Sequence, residues 1–231
     1  MLSYLYNLAT DEYKGLFAGL IKVFLRILSL IYGLLVIISI FLYRLRPYHL
    51  TCKVISVGNI TLGGTGKTSL TEVIARYLRQ KGHKVAILSR GYKRLGSRFS
   101  VCASRPNTET PLPAGRQGTP NTETMGDEPY MLKMNLKDIP VIVDANRIRG
   151  IKKAIRDYGV DTVILDDGLQ QWKISKDLEI VTIDATNPFG NRYMIPRGIL
   201  RQPLASLKYA DIFVLTKTNL NPDYQDIKDF L

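Results

Sequence analysis

Three groups of residues in this sequence have the types and spacing to move a phosphoryl group. The first is Lys67-Thr68, set behind the glycine-rich run Gly63-Gly64-Thr65-Gly66. Backbone N–H groups of such a run can cradle phosphates, with Lys67 reaching the β- and γ-phosphates and the Thr68 hydroxyl on Mg²⁺. The strict pattern places a glycine where Thr61 stands, so this is a variant loop that draws on Gly58, Gly63 and Gly64. The second group is Asp166-Asp167-Gly168, directly after the apolar run Thr162-Val-Ile-Leu165. A carboxylate at the end of a strand is what a nucleotide site uses to hold Mg²⁺, directly or through water; a plain Asp-Asp-Gly turn is the alternative. The third is Asp127-Glu128 in Gly126-Asp-Glu-Pro129. Two acids at a helix start either complement the helix dipole or aim a carboxylate at a reacting hydroxyl or at Mg²⁺.

Elements with the right periodicity surround these residues. Lys53-Val-Ile-Ser-Val57 reads as a buried strand, and Leu70, Val73, Ile74, Tyr77 and Leu78 recur at helical spacing until Gly82. Val85-Ala-Ile-Leu-Ser89, Pro140-Val-Ile-Val143, Thr162–Leu165, Leu178–Asp184 and Asp211–Lys217 supply further strands, with a basic helix over Ile148–Tyr158. Alternation of this kind predicts an α/β fold, a mostly parallel sheet flanked by helices. Ser89-Arg-Gly-Tyr-Lys-Arg94 falls at the carboxyl end of a strand, where open sheets bind ligands. It is either a solvated basic loop or one that turns Arg90 or Lys93 to a phosphate. Ser104 to Thr124 holds two copies of Pro-Asn-Thr-Glu-Thr and no apolar periodicity, and reads as a flexible surface insertion.

The remaining totals narrow the class. With 231 residues and 45% hydrophobic content the chain can bury a core, and a net charge of +12 suits nucleic acid, an anionic membrane or a phosphorylated substrate. No nucleic-acid module accompanies the charge, so a nucleic-acid partner is not expected. Cys52 and Cys102, like His49 and His83, lack metal-type spacing. From Ile27 to Tyr43 no residue is charged, a run at the short limit for crossing a bilayer. Arg44, Arg46 and Lys53 follow it and favour a cytoplasmic downstream domain. Lys14, Lys22 and Arg26 on the other flank leave open a helix lying along the leaflet, its basic residues at anionic headgroups.

Taken in order, Val57-Gly-Asn-Ile-Thr-Leu-Gly-Gly-Thr-Gly-Lys-Thr68, Ser89-Arg-Gly-Tyr92, Gly126-Asp-Glu-Pro129, Asp166-Asp-Gly-Leu-Gln170 and Pro196-Arg-Gly-Ile-Leu-Arg201 resemble the lipid A 4′-kinase (tetraacyldisaccharide 4′-kinase) family. The resemblance runs from about Lys53 to Thr218, includes the displaced glycine, and fits the apolar first helix. It implies a P-loop NTPase-like fold and ATP- and Mg²⁺-dependent phosphorylation of the 4′-hydroxyl of a tetraacyl glucosamine disaccharide 1-phosphate. It places that reaction at the cytoplasmic face of the inner membrane, with the lipid A disaccharide precursor and anionic inner-membrane lipids as partners. Residue by residue, it implies Gly63, Gly64, Thr65, Gly66, Lys67 and Thr68 for the ATP phosphates, and Thr68, Asp166 and Asp167 for the metal. Asp127 is implied as the catalytic acid-base residue beside Lys67, and Arg90, Tyr92, Arg147, Gln170 and Arg201 as contacts of the lipid headgroup.

Gln171 stands where the family usually has His, and Gln202 where it has Glu. The family also continues into a second lobe carrying a His that partners the catalytic Asp, whereas this sequence stops at Leu231. The expected organisation is thus a membrane-associated helical region over 1–50 and a P-loop kinase domain over 51–231 without the C-terminal lobe, for which a separately encoded half would be a partner. Two other readings compete: an inactive membrane-attached nucleotide-binding protein, and a P-loop GTPase-type assembly protein. Thr216-Lys-Thr-Asn219 is only a faint echo of a guanine-recognition signature.

Overall fold

Seven strands form one sheet in the order β3-β4-β2-β5-β1-β6-β7 in this computed structural model, which describes residues 16–90, 100–102 and 127–231. The strands are β1 (Lys53–Gly58), β2 (Val85–Ser89), β3 (Ser100–Cys102), β4 (Val141–Val143), β5 (Thr162–Asp166), β6 (Leu178–Asp184) and β7 (Ile212–Thr216). Every pairing is parallel except that of β3 with β4. The expected mostly parallel α/β sheet is therefore the observed one. The insertion over 104–124 lies outside the described residues.

Five α-helices accompany the described strands: α1 (Leu16–Leu45), α2 (Lys67–Gln80), α3 (Asp127–Asn135), α4 (Arg147–Tyr158) and α5 (Gln225–Phe230). Successive side chains along a strand point to opposite faces, and the central strands are apolar on both. Val57, Val85, Ile87 and Ile164 face a layer made by Ala75 of α2 and Leu132 of α3. Val54, Ala86, Leu88, Val163 and Leu165 face Ile151 and Ala154 of α4. Asn146 caps α4, its side chain accepting from the Arg149 amide, and Gly159 ends that helix in the left-handed region.

A third cluster sits over β6 and β7 and is closed by α1. Tyr32, Val36 and Ile40 of that helix pack with Trp172, Phe189, Met194, Leu200 and Leu207. The residues α1 buries recur at Leu25, Ser29, Gly33 and Ile40, the spacing of one helical stripe. Arg44 lies over the Tyr209 ring at 3.8 Å and Arg26 over the Tyr193 ring at 5.2 Å, so contacts with the α/β domain run along most of the helix. Its other side, including Phe24, Leu30, Leu34, Ile38 and Phe41, is exposed and apolar.

Candidate functional site

The parallel order brings the carboxyl ends of β1, β5 and β2 together. In the β1–β5 register Val57 pairs with Asp166, so the second acidic group stands beside the entrance to the glycine-rich loop. After Gly58 the chain runs as a loop to Gly66, which caps α2 at φ 74, a left-handed conformation that side chains disfavour. No side chain caps this helix. Its first-turn amides and the positive end of its dipole are therefore left for an anion. Thr65 is buried and anchors the loop through its hydroxyl at 2.8 Å from that of Thr182 on β6. Gly63 and Gly64 are exposed on the loop, and Thr68 is half-buried in the first turn of α2.

Lys67 points into the site rather than to solvent. Its Nζ donates to Asn59 Oδ1 at 3.0 Å and lies 3.9 Å from Asp167 Oδ1. Burial draws its ammonium pKa below the ordinary value, an effect opposed chiefly by the Asp167 charge. Arg201 completes the cluster, donating to both carboxylate oxygens of Asp167, at 3.0 and 2.6 Å, and to Asn59. Gln170 donates to the same Asn59 carbonyl at 3.1 Å. Asn59 thus joins Lys67, Arg201 and Gln170.

The two adjacent acids have opposite environments. Burial acts to raise Asp167, but its hydrogen bonds and ion pair with Arg201, with Lys67 nearby, prevail and hold it below the usual carboxylate range. Asp166 is 1% exposed, and burial, then the charges of Glu128 and Asp167, push its pKa up to about 6. Its Oδ2 accepts from Ser89 Oγ at 3.3 Å, while Oδ1 is buried with no hydrogen-bond partner. An unpartnered carboxylate oxygen in a closed site is costly unless something positive reaches it. That atom is a fit for Mg²⁺, which binds through one or two carboxylates plus phosphate oxygens and keeps several waters. Gly168 makes the turn possible: a Cβ there would lie 2.4 Å from Ser56 Oγ and 2.7 Å from Leu165 Cβ. Asp167 itself adopts φ 55, the left-handed conformation that Asp tolerates better than most residues.

The remaining expected residues fall in different places. Asp127 and Glu128 are exposed in the first turn of α3, and the Glu128 charge acts on both Asp166 and Lys67. Arg90 is exposed at the end of β2, and Tyr92 lies outside the described residues. Arg147, expected at the headgroup, is 3% exposed. Its guanidinium donates to the backbone carbonyls of Asp144, at 3.4 Å, and Asp166, at 3.3 Å. Burial pulls its pKa to about 10. Asn59 and Ser89 went unmarked as site residues in the sequence. The available signal was a polar side chain at the end of each of two apolar strands.

The chain as a whole is similar to known proteins. The family model described as tetraacyldisaccharide-1-P 4′-kinase matches residues 21–229. A tetraacyldisaccharide 4′-kinase of Halothermothrix orenii is 38% identical over 99% of this chain, and one of Syntrophotalea carbinolica is 36% identical over 86%. The chain spans 59% and 54% of the length of those two relatives. A crystal structure of LpxK from Aquifex aeolicus in complex with ATP superposes with a TM-score of 0.74 at 31% identity, covering 87% of this chain and 61% of that one.

Proposed function

Because the chain belongs to the tetraacyldisaccharide-1-P 4′-kinase family, we propose that it carries the ATP-binding half of a kinase that phosphorylates the 4′-hydroxyl of a tetraacyl disaccharide 1-phosphate. The observation that carries this reading is the buried, unpartnered Asp166 Oδ1 beside the phosphate loop and its inward-pointing Lys67. Phosphoryl transfer asks a protein mainly for charge neutralisation and in-line positioning. Lys67 and the amides of Gly63 to Thr68 neutralise and hold the ATP phosphates, and Thr68, Asp166 and Asp167 would hold Mg²⁺. That ion supplies further charge stabilisation at the transferred group when bound. Arg201 keeps Asp167 ionised and aligned, and Arg147 braces the turn through the Asp166 carbonyl. Asp127, open to solvent at the head of α3, accepts the proton of the sugar hydroxyl, with Glu128 beside it. Arg90, Tyr92 and Gln170 contact the headgroup.

We infer that the domain sits on the cytoplasmic face of the inner membrane, a reading supported by the exposed apolar side of α1 and by the basic residues Arg44, Arg46 and Lys53 that follow its apolar run. At 1.5 Å per residue the stretch from Leu25 to Arg44 is about 30 Å long, a bilayer's hydrocarbon thickness. Side chains along that whole stretch meet the α/β domain. The packing favours a helix lying in the interface over one that crosses it. The chain is expected to co-sediment with vesicles of phosphatidylethanolamine and phosphatidylglycerol, and Leu34→Glu with Phe41→Glu to release it. Co-sedimentation unaffected by these charges would overturn this placement.

Transfer of label from γ-labelled ATP to the tetraacyl disaccharide 1-phosphate tests the activity. It is measured for the chain alone and with the C-terminal portion of a relative, the part that this chain does not cover, co-expressed. Asp127→Ala is expected to keep the nucleotide affinity while transfer falls by a factor of about 10² to 10⁴, the range for a lost general base. Nucleotide binding without transfer in either arrangement would sink the kinase reading, and full transfer by the variant would remove Asp127 from its role.

A further inference from the structure

The segment Met194–Arg201 lies between α1 and the phosphate loop and is bonded to both. On the loop side, the Arg201 amide donates to the Ile60 carbonyl at 2.7 Å and the Leu62 amide to the Ile199 carbonyl at 2.8 Å, an antiparallel bridge centred on Thr61 and Leu200. Within the segment, the Ile195 amide closes on the Leu200 carbonyl at 2.9 Å. On the helix side, Ser29 Oγ donates to the Met194 carbonyl at 2.8 Å and the Tyr32 hydroxyl to the Arg201 carbonyl at 3.1 Å. These two side chains come from the stripe that α1 buries. A Cβ on neighbouring Gly33 would stand 3.1 Å from the Met194 sulfur, so the helix and segment are already in close contact there.

Arg201 is therefore held at three points. Its carbonyl is bonded to α1, its amide to the loop backbone, and its guanidinium to Asp167 and Asn59. A shift of α1 relative to the domain moves the same residue that aligns Asp167 and, through Asn59, the Lys67 ammonium. Ser29 and Tyr32 also carry hydroxyls on the side of α1 that packs against the domain, where burying a hydroxyl is unfavourable unless it is bonded.

We propose that Tyr32 is a positioning residue for nucleotide binding, coupling the seating of the apolar helix to the geometry of the phosphate loop through the Arg201 carbonyl. The proposal rests on the reading of that loop as an ATP site. Its test uses the full chain on vesicles of phosphatidylethanolamine and phosphatidylglycerol, titrated with a fluorescent ATP analogue, together with amide hydrogen exchange. Tyr32→Phe removes one hydroxyl and keeps the ring. It is expected to weaken analogue binding about threefold to tenfold, the worth of one hydrogen bond. Exchange should accelerate at the Leu62 and Arg201 amides while the amides of β2 and β5 stay protected. Ile40→Val, which thins the α1 packing while keeping the hydrogen bonds of Ser29 and Tyr32 to the segment, is expected to leave both readouts unchanged.

Unaltered affinity and unaltered exchange at Leu62 and Arg201 in Tyr32→Phe would overturn the coupling. So would equal effects from Ile40→Val, since the role would then be general stability. If the Phe variant does not fold, Ser29→Ala loosens the same segment at Met194 and must give the same local acceleration. If the unaltered chain binds no analogue, the ATP reading fails, and the exchange pattern decides the coupling by itself.

Discussion

Replacing Lys67 with alanine is expected to remove transfer from ATP almost entirely while leaving the fold in place. The Lys67 side chain is 14% exposed, and its ammonium meets Asn59 Oδ1 and the Asp167 carboxylate in a largely buried cluster. There a single charge aimed at phosphate oxygens acts at low effective dielectric. Losing one preorganised donor of this kind costs about 10² to 10³ in rate, and Arg201 cannot take its place without giving up its bonds to Asp167. Stability should change little, because Arg201 still holds both oxygens of Asp167. The measurement is single-turnover transfer at saturating γ-labelled ATP, with a thermal melt as the control on folding. Transfer within tenfold of the unaltered chain would mean that the loop does not hold the reacting phosphates.

Asp166→Asn is expected to trade function for stability. In the unfolded chain this carboxyl ionises near its ordinary value of 3.8, whereas in the folded protein it is raised to about 6. Between those two values the native state binds more protons than the unfolded one, so stability falls as pH rises through that window. Above the folded pKa the loss is complete and amounts to about 3 kcal/mol, from 1.36 kcal/mol per pKa unit. Asparagine has no charge to desolvate and retains an oxygen at the position that accepts from Ser89. In EDTA the variant should therefore be more stable by about 3 kcal/mol at pH 7 and by about half of that at pH 5. With Mg²⁺ present, nucleotide binding should be strongly impaired. Denaturant melts at the two pH values check the first part; equal stabilities at pH 7 would show that Asp166 is not strained by its burial.

Much of this arrangement is legible in the amino-acid sequence. Lys53–Val57 and Thr162–Leu165 are β-branched runs that stop at a glycine and an aspartate, and runs with both faces apolar belong in the middle of a parallel sheet. Neighbouring central strands then bring Lys67 and Asp166 to one edge. Strand β3 was beyond reach because three residues, Ser100 to Cys102, give no periodicity to read. Arg147 is named in the sequence only through the family resemblance, and its hydrogen bonds to two backbone carbonyls become visible only in the packing of α4 against β2 and β4. Nor did the sequence mark Asn59, whose importance comes from three partners distant along the chain: Lys67, Gln170 and Arg201. The attachment of α1 did leave a trace. Ser29, Tyr32 and Gly33 interrupt an aliphatic run at the spacing of one helical face, which suits a helix set against protein on that side.

The double-sided helix α1 also bears on how the protein can be handled. Cutting the chain before Lys53 would remove the exposed leucines and isoleucines on the outer side of α1. It would also strip the cover from Trp172, Met194, Leu200 and Leu207. One greasy surface would be exchanged for another, a recipe for aggregation rather than for a well-behaved catalytic fragment. Polar substitutions confined to Phe24, Leu30, Leu34, Ile38 and Phe41 would give water solubility while leaving the inner stripe seated. For this molecule, the part that looks like a detachable anchor is half of the wall it is anchored to.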